Sequence, residues 1–141
     1  MKKLAIFVLI FLLAGTFKGE CASFDTEIKI NQEVSLDNDN LKIKFSRVVE
    51  DKRCPEGLNC YWSGYAKAEI VVSVGKFDYG HHFISNINNE MYNLTNAISV
   101  AGYRIELKFG GISPSRKFDS KERIKKEVNP EDYVIQLFVT K

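Results

Sequence analysis

Tyr65-Ala66-Lys67-Ala68-Glu69-Ile70-Val71-Val72-Ser73-Val74-Gly75 decides the fold class. Ala66, Ala68, Ile70, Val72 and Val74 fall on one phase of a two-residue period, and Tyr65, Lys67, Glu69, Val71 and Ser73 fall on the other. Side chains alternate across an extended chain, so this pattern predicts a strand with one face in a core and one in water. A hairpin through Gly75 to Asp78 then returns a partner strand over Tyr79 to Ser85. The Asn-rich run Asn86 to Asn89 closes the unit.

The same signature recurs on both sides. Upstream, Leu41, Ile43 and Phe45 alternate with Lys42, Lys44 and Ser46, and the strand runs to about Val49. Asp37-Asn38-Asp39-Asn40 is its turn, because these side chains bond their own backbone and tolerate left-handed conformations. Thr26 to Ile30 and Glu33 to Leu36 are shorter candidates. Downstream, Met91 to Leu94 and Ile98 to Val100 precede Tyr103, Ile105, Leu107 and Phe109, which alternate with Arg104, Glu106 and Lys108 until Gly110-Gly111. Tyr133, Ile135, Leu137 and Val139 make a closing strand. Residues 113–131 are a long polar connection, in which Asp119 and Glu122 resemble a capping box and predict either a short helical turn over Lys121 to Val128 or a solvated loop. About seven to nine short strands with regular turns predict an all-β, antiparallel β-sandwich or barrel. Its core is expected to hold Ile43, Phe45, Ile70, Val72, Ile105, Leu107, Ile135 and Leu137.

Composition is that of a single folded domain: 141 residues, 45% apolar and 27% charged. Met1-Lys2-Lys3 followed by an apolar run from Leu4 to Ala14 predicts a secretory signal peptide over residues 1–23 and a β-rich domain over 24–141. The run is too short for a bilayer of roughly 30 Å. Cleavage after Ser23 makes Phe24 the new N-terminus. Loss of Lys2, Lys3, Lys18 and Glu20 takes the net charge from +2 to zero, which argues against nucleic acid and anionic membranes as partners. The alternative, a lipid-anchored Cys21, fits poorly with Lys18-Gly19-Glu20 directly before it. The expected location is the periplasm or the extracellular space.

Cys54-Pro55-Glu56-Gly57-Leu58-Asn59-Cys60 holds the two cysteines left after processing, and an oxidising compartment makes a disulfide between them the expectation. Closing so short a loop stabilises by about 2 kcal/mol in the chain-entropy model. A redox pair usually has two residues between its cysteines, and zinc would need further ligands, for which only His81 and His82 are at hand.

The stretch from Asp51 to Ala66 resembles the signature of a group of small exported bacterial proteins, Asp-x-Arg-Cys-Pro, four residues, then Cys-x-Trp-x-Gly-x-Ala before a strand. Asp51, Arg53, Cys54, Pro55, Cys60, Trp62, Gly64 and Ala66 match it. The resemblance implies an exported β-rich domain and brings no established activity. Many of that group look like lipoproteins, a feature the residues before Cys21 do not share.

Physically the motif reads first as scaffold. Pro55 fixes a φ, Gly57 supplies a permissive position, and Asp51 and Arg53 share a face on which they can pair with each other or with loop carbonyls. If the chain stays extended past Cys60, Trp62 points to the side of that cysteine and covers the disulfide, with Gly64 leaving room for the ring. Tyr61 and Tyr65 then face out. With Glu56, Leu58 and Asn59 at the loop tip, they form a candidate recognition surface.

Other constellations are weaker. His81 and His82 are adjacent, so on a strand they face opposite ways; a solvated pair near a turn is expected. Asp37-x-Asp39 lacks the third oxygen ligand of a calcium loop. Asn93-Leu94-Thr95 is a formal glycosylation sequon, relevant only in a eukaryotic host. No metal or cofactor is expected. The pattern favours a non-enzymatic exported domain that binds a protein, glycan or envelope component. A small secreted hydrolase would need a cleft holding His81 or His82 against a carboxylate. A protease-inhibitor module would use the stiffened loop as main-chain bait.

Overall fold

The structure, a computed structural model, describes residues 21–141. The predicted leader lies outside them except for Cys21, Ala22 and Ser23. Ten strands follow in order: β1 (Ser23–Lys29), β2 (Glu33–Leu36), β3 (Leu41–Asp51), β4 (Ala66–Val74), β5 (Phe77–Ser85), β6 (Ala97–Val100), β7 (Tyr103–Ser113), β8 (Lys117–Asp119), β9 (Ile124–Lys126) and β10 (Val134–Thr140). Two 3-10 turns, Glu90–Tyr92 and Pro130–Asp132, are the helical elements among the described residues. No helix there is long and apolar enough to cross a membrane.

Two four-stranded antiparallel sheets, ordered β1-β10-β7-β6 and β2-β3-β4-β5, share one core, so the fold is a sandwich with no closed barrel. Leu41, Ile43 and Phe45 of β3, Ala68, Ile70 and Val72 of β4 and Ile84 of β5 face Ile105, Leu107 and Ile112 of β7 and Ile135, Leu137 and Val139 of β10. All eight residues predicted for the core are buried. Burial is enforced by register: Ile43 pairs with Val72 and Phe45 with Ile70, so a one-residue slip would turn the whole apolar set to water.

Four local expectations are corrected. Met91 to Leu94 forms no strand, because the 3-10 turn Glu90–Tyr92 ends on Asn93 at a φ of 50°. Lys121 to Val128 holds no helical turn. Asp119 Oδ1 accepts the backbone N–H groups of Lys121 and Glu122 at 2.9 and 3.3 Å, and Arg123 then adopts a φ of 55°, which turns the chain back into the β8–β9 hairpin. This hairpin takes the strand count past the expected range. Phe109 leaves the inward phase of β7: Leu107 pairs with Leu137 but Ile112 with Ile135, and the surplus residues bulge outward. Gly111 is needed there, since a Cβ would lie 2.6 Å from the Lys108 carbonyl oxygen, and Phe109 ends fully exposed.

The Asp37–Asn40 turn forms as expected and is tied to the core. Asp37, Asn38 and Asp39 all have positive φ. The buried Tyr103 donates its hydroxyl to Asp37 and accepts from Asn40 Nδ2 at 2.8 Å. Lys141 Nζ reaches Asp37 at 2.7 Å, and the Lys141 N–H donates to the Ala22 carbonyl at 2.9 Å, so both chain ends of the domain meet at this turn. β3 leads away from it for 11 residues, on the order of 30 Å, to the cysteine loop at the opposite pole.

Candidate functional site

At the far end of β3 the chain departs from both sheets and returns at Ala66. Cys54 and Cys60 are disulfide-bonded, with their Cα atoms 5.9 Å apart. The loop is laced to its surroundings by backbone bonds. Lys52 N–H donates to the Tyr65 carbonyl at 2.7 Å and Cys54 N–H to that of Ser63 at 2.8 Å. Glu56 N–H donates to the Arg116 carbonyl at 2.8 Å and the Glu56 carbonyl accepts from Phe118 N–H at 2.9 Å, docking the loop on β8. Gly57 has a φ of 91°, as the turn requires.

Beneath the loop lies a buried ion pair. Arg53 Nε and Nη2 donate to the two oxygens of Asp51 at 2.9 and 2.6 Å, a bidentate geometry. The same guanidinium donates to the Ile112 carbonyl at 2.5 Å and to the Pro114 carbonyl at 2.9 Å, which follows a cis Ser113–Pro114 bond. Tyr133 donates its hydroxyl to Asp51 at 2.9 Å. Arg116 Nη2 then donates to the Arg53 carbonyl at 2.7 Å and Nη1 to Glu127 at 3.1 Å. Asp51 and Arg53 thus join the end of β3 to β7, β10 and the 113–131 connection, and the carbonyls they engage lie beyond the loop itself.

These contacts set the electrostatics. Burial opposes charge on Asp51, but the Arg53 and Tyr133 hydrogen bonds outweigh it and hold the carboxyl below its ordinary range. Burial, with the bond to Asp51, pushes the Tyr133 phenol up to about 12. Glu50 is lowered chiefly by the hydroxyl of Tyr65, then by Lys52, whose ammonium stands 3.1 Å away.

The faces of the segment after Cys60 differ from expectation. Tyr61 is fully exposed, as anticipated, but Trp62 is 59% exposed and is not the buried support expected of it. Tyr65, expected outside, is only 9% exposed, with its hydroxyl bonded to Glu50. The chain bends at Tyr61 and Trp62, and Gly64 then takes a φ of 70°, so the alternation of β4 does not extend back to Cys60. Glu56 and Asn59 are exposed and Leu58 is half-buried, with its carbonyl near Cys54 Sγ. Tyr61, Trp62, Glu56 and Asn59 therefore remain on the loop surface, while Tyr65 belongs to its base with Asp51, Arg53 and Gly64.

His81 and His82 lie within β5, opposite Val71 and Ile70. His81 Nδ1 meets Glu69 Oε1 at 2.5 Å, and Arg47 Nε takes the other carboxylate oxygen at 2.5 Å. This three-strand ladder lies on the open face of a sheet, with the His81 side chain 63% exposed, and not in a cleft. Sequence reasoning missed it because Arg47, Glu69 and His81 are brought level only by pairing of β3, β4 and β5. The chain matches no family model, no curated protein and no solved structure.

Proposed function

We propose that this is an exported, non-enzymatic β-sandwich domain that binds a protein, glycan or envelope component through the surface of its disulfide loop. One observation carries this reading. Tyr61 and Trp62 stand side by side in solvent, between the disulfide at Cys60 and the sterically locked Gly64. Large aromatics without a packing role, held on a rigid segment, cost little entropy to bury and are favoured anchors at interfaces. Export is supported by the N-terminal leader pattern and by the disulfide. The match of Asp51, Arg53, Cys54, Pro55, Cys60, Trp62, Gly64 and Ala66 to the exported bacterial group supports the same placement.

Trp62 is the protein's single tryptophan, so intrinsic fluorescence reports this site alone. The free domain is expected to emit as a solvent-exposed indole and to be quenched by acrylamide. Titration with purified, tryptophan-free envelope fractions, peptide or glycan, should shift emission to the blue and protect it from quencher. A Tyr61→Ala domain should respond at least tenfold more weakly. Unchanged emission across all fractions would refute the proposed surface.

A further inference from the structure

A groove of 360 Å³ runs beside β3, separate from the exposed Tyr61 and Trp62. Six consecutive residues, 46–51, line it. Neighbouring residues of a strand point to opposite faces, so a groove against one face would collect only alternate residues. One that collects all six follows the strand's edge. That edge is open: β2 pairs with β3 only from Leu41 to Lys44, and the backbone bonds of Asn31 and Gln32 extend cover only to Phe45. Beyond Phe45, β3 pairs with β4 alone among the described residues. The opposite wall comes from Ile30, Val128 and Pro130.

The geometry points to a site for an extended peptide with basic flanks, added as a short strand along this edge. Main-chain donors and acceptors on this edge, without a backbone partner among the described residues, suit the backbone of an extended peptide. The volume, at the small end of binding pockets (roughly 300–1,000 Å³), admits a short segment. Register shifts at Phe45/Arg47 and Val48/Glu50 bulge the strand, which limits pairing to a few residues and blocks open-ended sheet growth. Once the ion pairs are counted, a single rim carboxylate, Glu131, is left to meet a basic ligand. Glu50, Asp51, Glu127 and Glu131 line the groove against one cation, Arg47, which is engaged by Glu69. Asp51 and Glu127 are neutralised by Arg53 and Arg116, and Glu50 is shared with Lys52. Glu131 has no ion-pair partner among the described residues and is exposed at the rim.

The test is a pooled set of pentapeptides Lys-X-Thr-X-Lys, with X being Val, Ile, Leu or Phe, titrated into the 15N-labelled domain. Backbone amide shifts should concentrate in residues 46–51. N-methylation of alternate peptide nitrogens should weaken binding more than tenfold, and Glu131→Lys about tenfold. The Tyr61→Ala/Trp62→Ala variant should bind these peptides as the wild type does, which separates this site from the aromatic one. No shifts in 46–51 at millimolar peptide, insensitivity to N-methylation, or equal binding of a Glu-X-Thr-X-Glu set would overturn the assignment.

Discussion

A β-carbon on Gly64 would stand 1.9 Å from the carbonyl oxygen of Lys52, so the chain leaving the cysteine loop touches the chain entering it at bare backbone. The neighbour is main chain, bonded in turn through Lys52 N–H to Tyr65, and it has nowhere to move. Overlap adds to the strain of a positive φ, so Gly64→Ala should lose about 3 kcal/mol or more. Gly57→Ala, whose Cβ would meet Phe118 only at 3.5 Å, carries the φ strain alone and should lose about 1 kcal/mol. Urea unfolding of the two variants checks the contrast.

The Asp51–Arg53 pair should be costly to break from one side. Arg53→Met leaves Asp51 buried without its cation, and a loss of about 3–5 kcal/mol is expected. Arg53→Lys should recover little, because an ammonium cannot make the bidentate contact and also reach the carbonyls of Ile112 and Pro114. Equal stability of the lysine variant and wild type by calorimetry would show that the fork geometry is unimportant.

The same cluster predicts stability falling at both ends of the pH scale. Asp51 has a lowered folded-state value, so its contribution is present above the unfolded carboxyl value of 3.8 and is lost as pH falls through the folded one. Tyr133 is raised from 10.0 to about 12, so stability is intact below pH 10 and declines as pH climbs towards 12, where the unfolded phenol ionises first. Thermal melts between pH 9 and pH 12 should show this decline in wild type. Tyr133→Phe should flatten it while starting less stable.

Trp62→Ala should leave the melting temperature within about 2 °C, since a largely exposed side chain contributes within about 0.5 kcal/mol. Tyr65→Ala should cost about 3 kcal/mol through the buried ring and its bond to Glu50. A Trp62→Ala variant that unfolds while Tyr65→Ala stays intact would reverse the two assignments.

Intact mass of the exported protein tests its processing. A chain starting at Phe24 without free thiol is expected, which would shorten the β1–β10 ladder only by the Ser23–Thr140 pair. A diacylglycerol increment on a Cys21 N-terminus would instead establish a lipid tether.

The alternating segments were legible because period-two patterning is a local property: Ile43, Phe45, Ile70, Val72, Ile105, Leu107, Ile135 and Leu137 each declare their face within a few residues. The Asp37–Asn40 turn and the proximity of Cys54 to Cys60 were equally local, being matters of backbone preference and short separation. Tertiary structure decided what depended on partners distant in sequence. The bends at Tyr61 and Trp62 and the left-handed φ of Gly64, where Lys52 leaves no room for a side chain, end the extended run and set Trp62 outward and Tyr65 inward. Arg53 found Ile112 and Pro114, and Asp51 found Tyr133, only once β7 and β10 had docked beside β3. The open β3 edge exists because β2 stops pairing at Lys44, which no periodicity in β3 itself records. Alternation specifies which side of a strand is apolar, whereas strand order, bulges and edges follow from how the two sheets close over a common core.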